Sequence, residues 1–244
     1  MDYSLVTRLF AEVIATALLI IIGNGAVANV ELDGTKAGKG NWNLIAMGYG
    51  FAVMMPAMIF GGISGNHINP AFTIGLAASG MFPWGEVIPY ILAQFTGAIL
   101  GQLVVYITHK PYYEKTANAG NIFGTFSTTN AANSVQNGFI NEFFGSFVLF
   151  FGALGITQSP LFTSNPGAAH LALGLLVMAL VASLGGPTGP GLNPARDLGP
   201  RLLYTVLPIK NKVDPNWKYG FVAAGLAPII AGIMAVGAYS NLFM

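Results

Sequence analysis

Hydrophobic residues in this chain fall in long runs, without the three-to-four-residue spacing of an amphipathic surface helix. Six of these runs, 5–30, 42–62, 84–108, 138–158, 168–186 and 219–239, approach the length of a membrane span. About 20 residues at 1.5 Å each cross about 30 Å of hydrocarbon. Two further apolar segments, 70–79 and 194–204, are too short to span. Each opens on a proline preceded by an asparagine. Asn is a preferred N-cap, and Pro suits the first helical position, where its missing N–H needs no partner. The pattern therefore predicts two abruptly started helices of about 15 Å, half the hydrocarbon thickness. Entering from opposite faces, they would meet N-terminus to N-terminus at the midplane and act together as one more span.

The pattern occurs twice. Glu12, in Phe10-Ala11-Glu12, recurs as Glu142, in Ile140-Asn141-Glu142. The triplet Asn69-Pro70-Ala71 recurs as Asn193-Pro194-Ala195, and 90–101 can be laid on 221–232 with Ala93/Ala224, Ile99/Ile230 and Gly101/Gly232 shared. Each copy holds three spans, an odd number, so the second must lie upside down relative to the first. The expected organisation is one membrane domain, 1–244, built from inverted repeats 1–122 and 137–244. The polar stretch 109–137 between them reads as a surface loop.

Composition narrows the class. With 54% hydrophobic and 8% charged residues, against about 25% charged in an average soluble domain, a soluble fold is excluded. The mean hydropathy of +0.63 agrees. A net charge of +1 points to no nucleic acid or acidic partner. The absence of cysteine excludes disulfides and thiolate metal sites. The 32 glycines suit close helix packing and broken helices, and Gly97–Gly101 is a GxxxG match for contacts within or between subunits. Only Arg8 precedes the first run, which is long enough to span, so no cleavable signal peptide is expected. HExxH, GxSxG and phosphate-loop motifs are absent and the three His are scattered, so no enzyme, metal or cofactor is expected.

The triplets carry more than spacing. The first lies in Gly62-Ile63-Ser64-Gly65-Asn66-His67-Ile68-Asn69-Pro70-Ala71, the second in Gly191-Leu192-Asn193-Pro194-Ala195-Arg196-Asp197. In register with an inverted repeat, and with Arg196 directly after the second, they resemble the aquaporin, or major intrinsic protein, family along the whole chain. Asp197 after Arg196, and Gly124-Thr125-Phe126-Ser127-Thr128 followed by Val135-Gln136, resemble its glycerol-conducting branch, the bacterial glycerol facilitators. The resemblance implies an all-α membrane fold of six transmembrane helices plus two half-helices. It also implies a passive channel for glycerol and other small uncharged solutes, with some water. Such a channel excludes ions and protons, sits in the lipid bilayer of the plasma membrane and forms a homotetramer with one pore per subunit. The family keeps both termini in the cytoplasm. Lys36, Lys39, Lys110, Lys115, Lys210, Lys212 and Lys218 all lie in the opposite loops, which the positive-inside rule would place inside. The resemblance is followed over that count.

A half-helix N-terminus carries unpaired N–H groups and about half a positive charge, so two of them facing each other should repel cations at the pore centre. Asn69 and Asn193 can cap through the side-chain oxygen and leave their NH2 groups pointing into the lumen. A plain N-cap is the simpler alternative. Non-helical backbone at membrane depth must be buried in protein or line a water-filled cavity. The family uses such carbonyls as a pore wall, here Gly65, Asn66, His67 and Ile68, and Gly189, Pro190, Gly191 and Leu192. Glu12 and Glu142 could relay protons or accept the N–H groups of those loops, and the family implies the second. His67 is expected to anchor its loop or line the pore. Arg196 is expected to donate to solute hydroxyls and repel cations, or else to pair with a loop carbonyl or Asp197. Arg201 is expected to be structural. The family's selectivity ring falls on Tyr49, Val181, Pro190 and Arg196. Val181 stands where water-selective members carry His, and Pro190 where glycerol facilitators carry an aromatic. The ring should therefore be wider and extend to small undissociated hydroxy acids such as lactic acid. The alternatives are a channel mainly for water and, from another class, a proton-coupled secondary transporter working through Glu12, Glu142 and Asp197.

Overall fold

A computed structural model describes residues 3–38, 40–189 and 191–244. Pro190 and Lys39 lie outside the described residues. The helices are α1 (Leu5–Glu31), α2 (Trp42–Ser64), α3 (Pro70–Ala78), α4 (Trp84–Lys115), α5 (Ala119–Gly124), α6 (Val135–Gln158), α7 (Pro160–Thr163), α8 (Pro166–Leu184), α9 (Pro194–Val206), α10 (Trp217–Tyr219) and α11 (Ala227–Phe243). A π-helical stretch, Gly220–Leu226, joins α10 to α11. There is no strand among the described residues. Among the described residues six helices, counting Trp217–Phe243 as one, are long and apolar enough to cross a membrane, while α3 and α9 are not.

Large apolar side chains such as Phe10, Ile14, Phe144 and Val148 face outward, whereas Glu12, Asn24, Gln94, Gln102 and Glu142 are buried. This is the arrangement lipid demands, because an ionisable or amide group in hydrocarbon must turn toward the bundle interior. Close approach of the spans depends on glycine. Across the α2–α8 contact, a Cβ on Gly50 would lie 2.9 Å from the Gly174 carbonyl oxygen, and one on Gly174 2.8 Å from that of Gly50. Gly97 and Gly101 set α4 against the Val13 and Ala17 carbonyls of α1, so the GxxxG pair makes contacts within the subunit. The half-helices cross over: α3 packs on α11, and α9 on α4. Each copy of the pattern therefore holds the short helix of the other.

The stretch 109–137 is not a surface loop. α4 continues to Lys115, because Tyr113 is buried in a cluster with Phe123, Phe126 and Tyr204. Ile122, Phe123 and Phe126 are among the fully enclosed apolar side chains. Its hydroxyl residues read as water-seeking in the sequence, yet Thr125, Ser127 and Thr128 are buried. Thr128 donates through N and Oγ1 to Asp197 Oδ2 at 2.8 and 2.7 Å, and Ser127 Oγ donates to the Asp197 carbonyl at 2.9 Å. Polar side chains here satisfy a buried carboxylate on α9.

Candidate functional site

Local chemistry starts both half-helices. Asn69 Oδ1 accepts from Ala71 N at 3.0 Å, and Asn193 Oδ1 from Ala195 N at 3.0 Å and Arg196 N at 3.2 Å. In both, proline follows at the first helical position. The side-chain NH2 groups are not both left free for the lumen. Asn69 Nδ2 donates to the Leu192 carbonyl at 2.9 Å, and Asn193 Nδ2 to the Ile68 carbonyl at 2.7 Å. Each triplet is tied to the entry loop of the other, and one N–H of each amide remains. The sequence could not reveal this pairing, because it joins residues more than a hundred positions apart.

The entry loops are strained and held. Ile68 and Leu192 sit at φ 47 and φ 50, a left-handed region costly for bulky side chains and most of all for a β-branched one. Glu12 Oε1 accepts from Ser64 Oγ at 2.7 Å and His67 N at 2.9 Å, while Oε2 accepts from Ile68 N at 2.8 Å and Gln94 Nε2 at 2.9 Å. Those four donors fill the lone-pair directions of a carboxylate. Glu142 takes the same position in the second copy, accepting from Gly191 N at 3.0 Å and Leu192 N at 2.6 Å. His67 packs edge-on against Phe82, and its Nδ1 lies 3.1 Å from Thr73 Oγ1. It anchors its loop and also borders the inner cavity.

Two cavities follow one another along the molecule. The inner one, about 120 Å³, is bordered by Asn66, Ile68, Asn69, Leu192 and Asn193 and by the apolar Val53, Leu149, Leu173 and Val177. His67, Gly191 and Val181 also border it, and Gly65 borders neither cavity. The outer one, about 210 Å³, lies on the 116–134 side, with Glu31, Trp42, Asn121, Thr128, Thr188 and Gly189 in its wall. Tyr49 and Arg196 border both, and so stand at the neck between them.

At the neck, Arg196 donates through Nη2 to the Tyr49 hydroxyl and through Nη1 to the Phe126 carbonyl at 3.2 Å. Its guanidinium carbon is 5.1 Å from the centroid of the Tyr49 ring. Asp197 is not its partner. That carboxylate faces Arg201, whose Nε and Nη2 lie at 2.8 Å from Oδ1 in a fully buried ion pair. Arg201 also donates to the Thr128, Pro215 and Asn216 carbonyls, so it clamps the 116–134 segment. Sequence reasoning missed Asn24, Trp42, Gln102 and Phe126. Trp42 Nε1 donates to the Val181 carbonyl at 2.8 Å, beside the neck. Asn24 and Gln102 did carry a signal, as amides inside apolar runs.

The arrangement can do two things. The lining combines donors and acceptors with apolar side chains, which suits a neutral molecule with hydroxyls along a carbon chain. The N-termini of α3 and α9 and the Arg196 guanidinium all add positive potential, which disfavours cations. Among the described residues no cluster of His, Cys, Asp or Glu could hold a metal ion.

Comparison with known proteins supplies the family and the fold. The family model described as major intrinsic protein matches residues 2–239. The chain is 47% identical to "Glycerol uptake facilitator protein-like 5" of Lactiplantibacillus plantarum, over 97% of this chain and 96% of that one. It is 46% identical to "Glycerol facilitator-aquaporin gla" of Lactococcus lactis subsp. cremoris, with both chains covered completely. Among solved structures, the aquaglyceroporin of Plasmodium falciparum superposes with a TM-score of 0.86 at 25% identity, over 98% of this chain and 97% of that one.

Proposed function

Because the chain belongs to the major intrinsic protein family, we propose that it is a passive membrane channel for glycerol and other small uncharged solutes, with some water. It excludes ions and protons, and transport, with no bond made or broken, is the whole of its activity. The observation that carries this reading is the passage lined by both polar and apolar groups, with Arg196 and Tyr49 bordering both of its cavities. Tyr49, Val181, Pro190 and Arg196 form the selectivity ring. The Arg196 N–H groups left over from Tyr49 and Phe126 donate to solute hydroxyls, and the Tyr49 ring and Val181 receive the carbon chain. Asn69 and Asn193 each offer their remaining N–H at the pore centre. The loop carbonyls of 65–68 and 189–192 supply acceptors, those of Ile68 and Leu192 being shared with the asparagines.

A channel mainly for water is disfavoured by Val181, which places no donor where a water filter needs one. A proton-coupled transporter is disfavoured because Glu12, Glu142 and Asp197 are each tied to protein donors. Small undissociated hydroxy acids such as lactic acid fit the same passage, since Val181 is apolar and Pro190 replaces an aromatic. The working unit is a homotetramer in the plasma membrane with both termini in the cytoplasm, which puts the lysine-bearing loops outside.

Stopped-flow light scattering on proteoliposomes tests the function. Glycerol permeability well above that of protein-free vesicles is expected, with labelled lactic acid entering at low pH in a second arm. Glycerol flux equal to protein-free vesicles removes the reading. Lactic acid uptake equal to theirs removes only its extension.

A further inference from the structure

The Tyr49 hydroxyl is fully engaged by protein. It donates to Asn24 Oδ1 at 2.6 Å and accepts from Arg196 Nη2. Asn24 lies on α1, is completely buried and borders neither cavity. Its own NH2 donates to Gln102 Oε1 on α4 at 2.6 Å and to the Phe126 carbonyl at 3.2 Å. The Phe126 carbonyl fixes the orientation of this amide, because a flip would set its oxygen against that backbone oxygen. Phe126 also accepts from Arg196 Nη1, which closes the circuit. Three helices and one buried loop thus meet in a single ring of hydrogen bonds at the neck, with Gln102 of α4 joined to it through Asn24.

That ring has a direction. A tyrosine hydroxyl facing a guanidinium must present a lone pair, since two donors repel. Asn24 Oδ1 takes the hydroxyl proton and leaves the lone pair for Arg196. The ring of Tyr49 packs directly on Gly23, where a Cβ would lie 2.7 Å from its Cδ1. We propose that Asn24 is a specificity-determining positioning residue: it orients the Tyr49 hydroxyl, and through it the Arg196 guanidinium, and so sets the width of the neck. The proposal rests on the channel reading above and adds to it a residue that touches no solute.

The test is a double-mutant cycle read as a solute ratio. Parent, Asn24→Leu, Tyr49→Phe and the double variant are reconstituted, and permeabilities to glycerol and to the five-carbon polyol xylitol are measured. Releasing the neck admits the larger solute, so Asn24→Leu lowers the glycerol-to-xylitol ratio about fivefold, the rate equivalent of ~1 kcal/mol. Tyr49→Phe lowers it as well, and the double variant falls well short of the product of the two, because Asn24 acts chiefly through that hydroxyl and only secondarily through the Phe126 carbonyl. A ratio unchanged in Asn24→Leu, or effects that multiply in the double variant, overturns the proposal. If Asn24→Leu does not assemble, Asn24→Ser, whose oxygen is one bond shorter, replaces it in the same cycle with the same two outcomes. Parent vesicles no faster than protein-free ones would instead remove the channel reading itself, and this proposal with it.

Discussion

Arg196→Ala is expected to let protons and monovalent cations through, raising their flux by about two orders of magnitude while glycerol still passes. Arg196 is 3% exposed and stands at the neck shared by the two cavities. A unit charge about 5 Å from a cation, at an effective dielectric of about 20, adds ~3 kcal/mol to the barrier. Its removal corresponds to a factor of about 150 in rate. The leak stays below that of an open pore, because the half-helix N-termini beneath the neck keep their own positive potential. Arg196→Lys separates charge from geometry. It retains the cation barrier but loses the planar fork that reaches Tyr49 and Phe126 together, so it conducts no ions and changes only the solute ratio. Proton flux into vesicles loaded with a pH-sensitive dye, under a potassium diffusion potential, is the measurement. An alanine variant as proton-tight as the parent would show that Arg196 is not part of the barrier.

The second large effect is expected at Glu142. Alanine there strips the acceptor from the Gly191 and Leu192 N–H groups, which lie deep in the protein. Each unsatisfied buried donor costs about 1–3 kcal/mol, so the pair costs about 2–6 kcal/mol. Leu192 is moreover held at φ 50, and without Glu142 only the Asn69 bond to its carbonyl still opposes that strain. The damage crosses to the other copy, because the Leu192 carbonyl accepts from Asn69. Loss of most monodisperse protein in detergent and a lower unfolding midpoint are expected, with little glycerol flux in what survives. Glu142→Gln falls between, since its oxygen accepts one N–H and its NH2 opposes the other. Parental yield, midpoint and flux in Glu142→Ala would show that the loop holds itself.

How much of this was legible in the sequence depends on the range of the physics. Asn69-Pro70 and Asn193-Pro194 announce their helices through capping and a fixed proline φ, which involve neighbours only, and both helices begin at the expected proline. The six spans follow from length and hydropathy, while their ends shift in both directions: Tyr113 draws α4 on to Lys115, and α8 stops at Leu184, two residues short of the expected end. The stretch 109–137 was misread for a different reason. A hydroxyl bonded to water and one bonded to a buried carboxylate look alike in sequence, and Thr128 on Asp197 is the second kind.

The neck shows the same division. The sequence by itself determined the half-helices, the spans and their duplication, because each rests on local periodicity or on a motif, and the family resemblance pointed to Tyr49, Val181 and Arg196. Only the tertiary structure decided what those side chains hold. The Tyr49 hydroxyl, Asn24, Gln102, Phe126 and Arg196 come from five separate stretches of chain. A hydrogen bond needs its two atoms within about 3 Å in space, and no pattern along the chain records which buried donors and acceptors the packing brings that close.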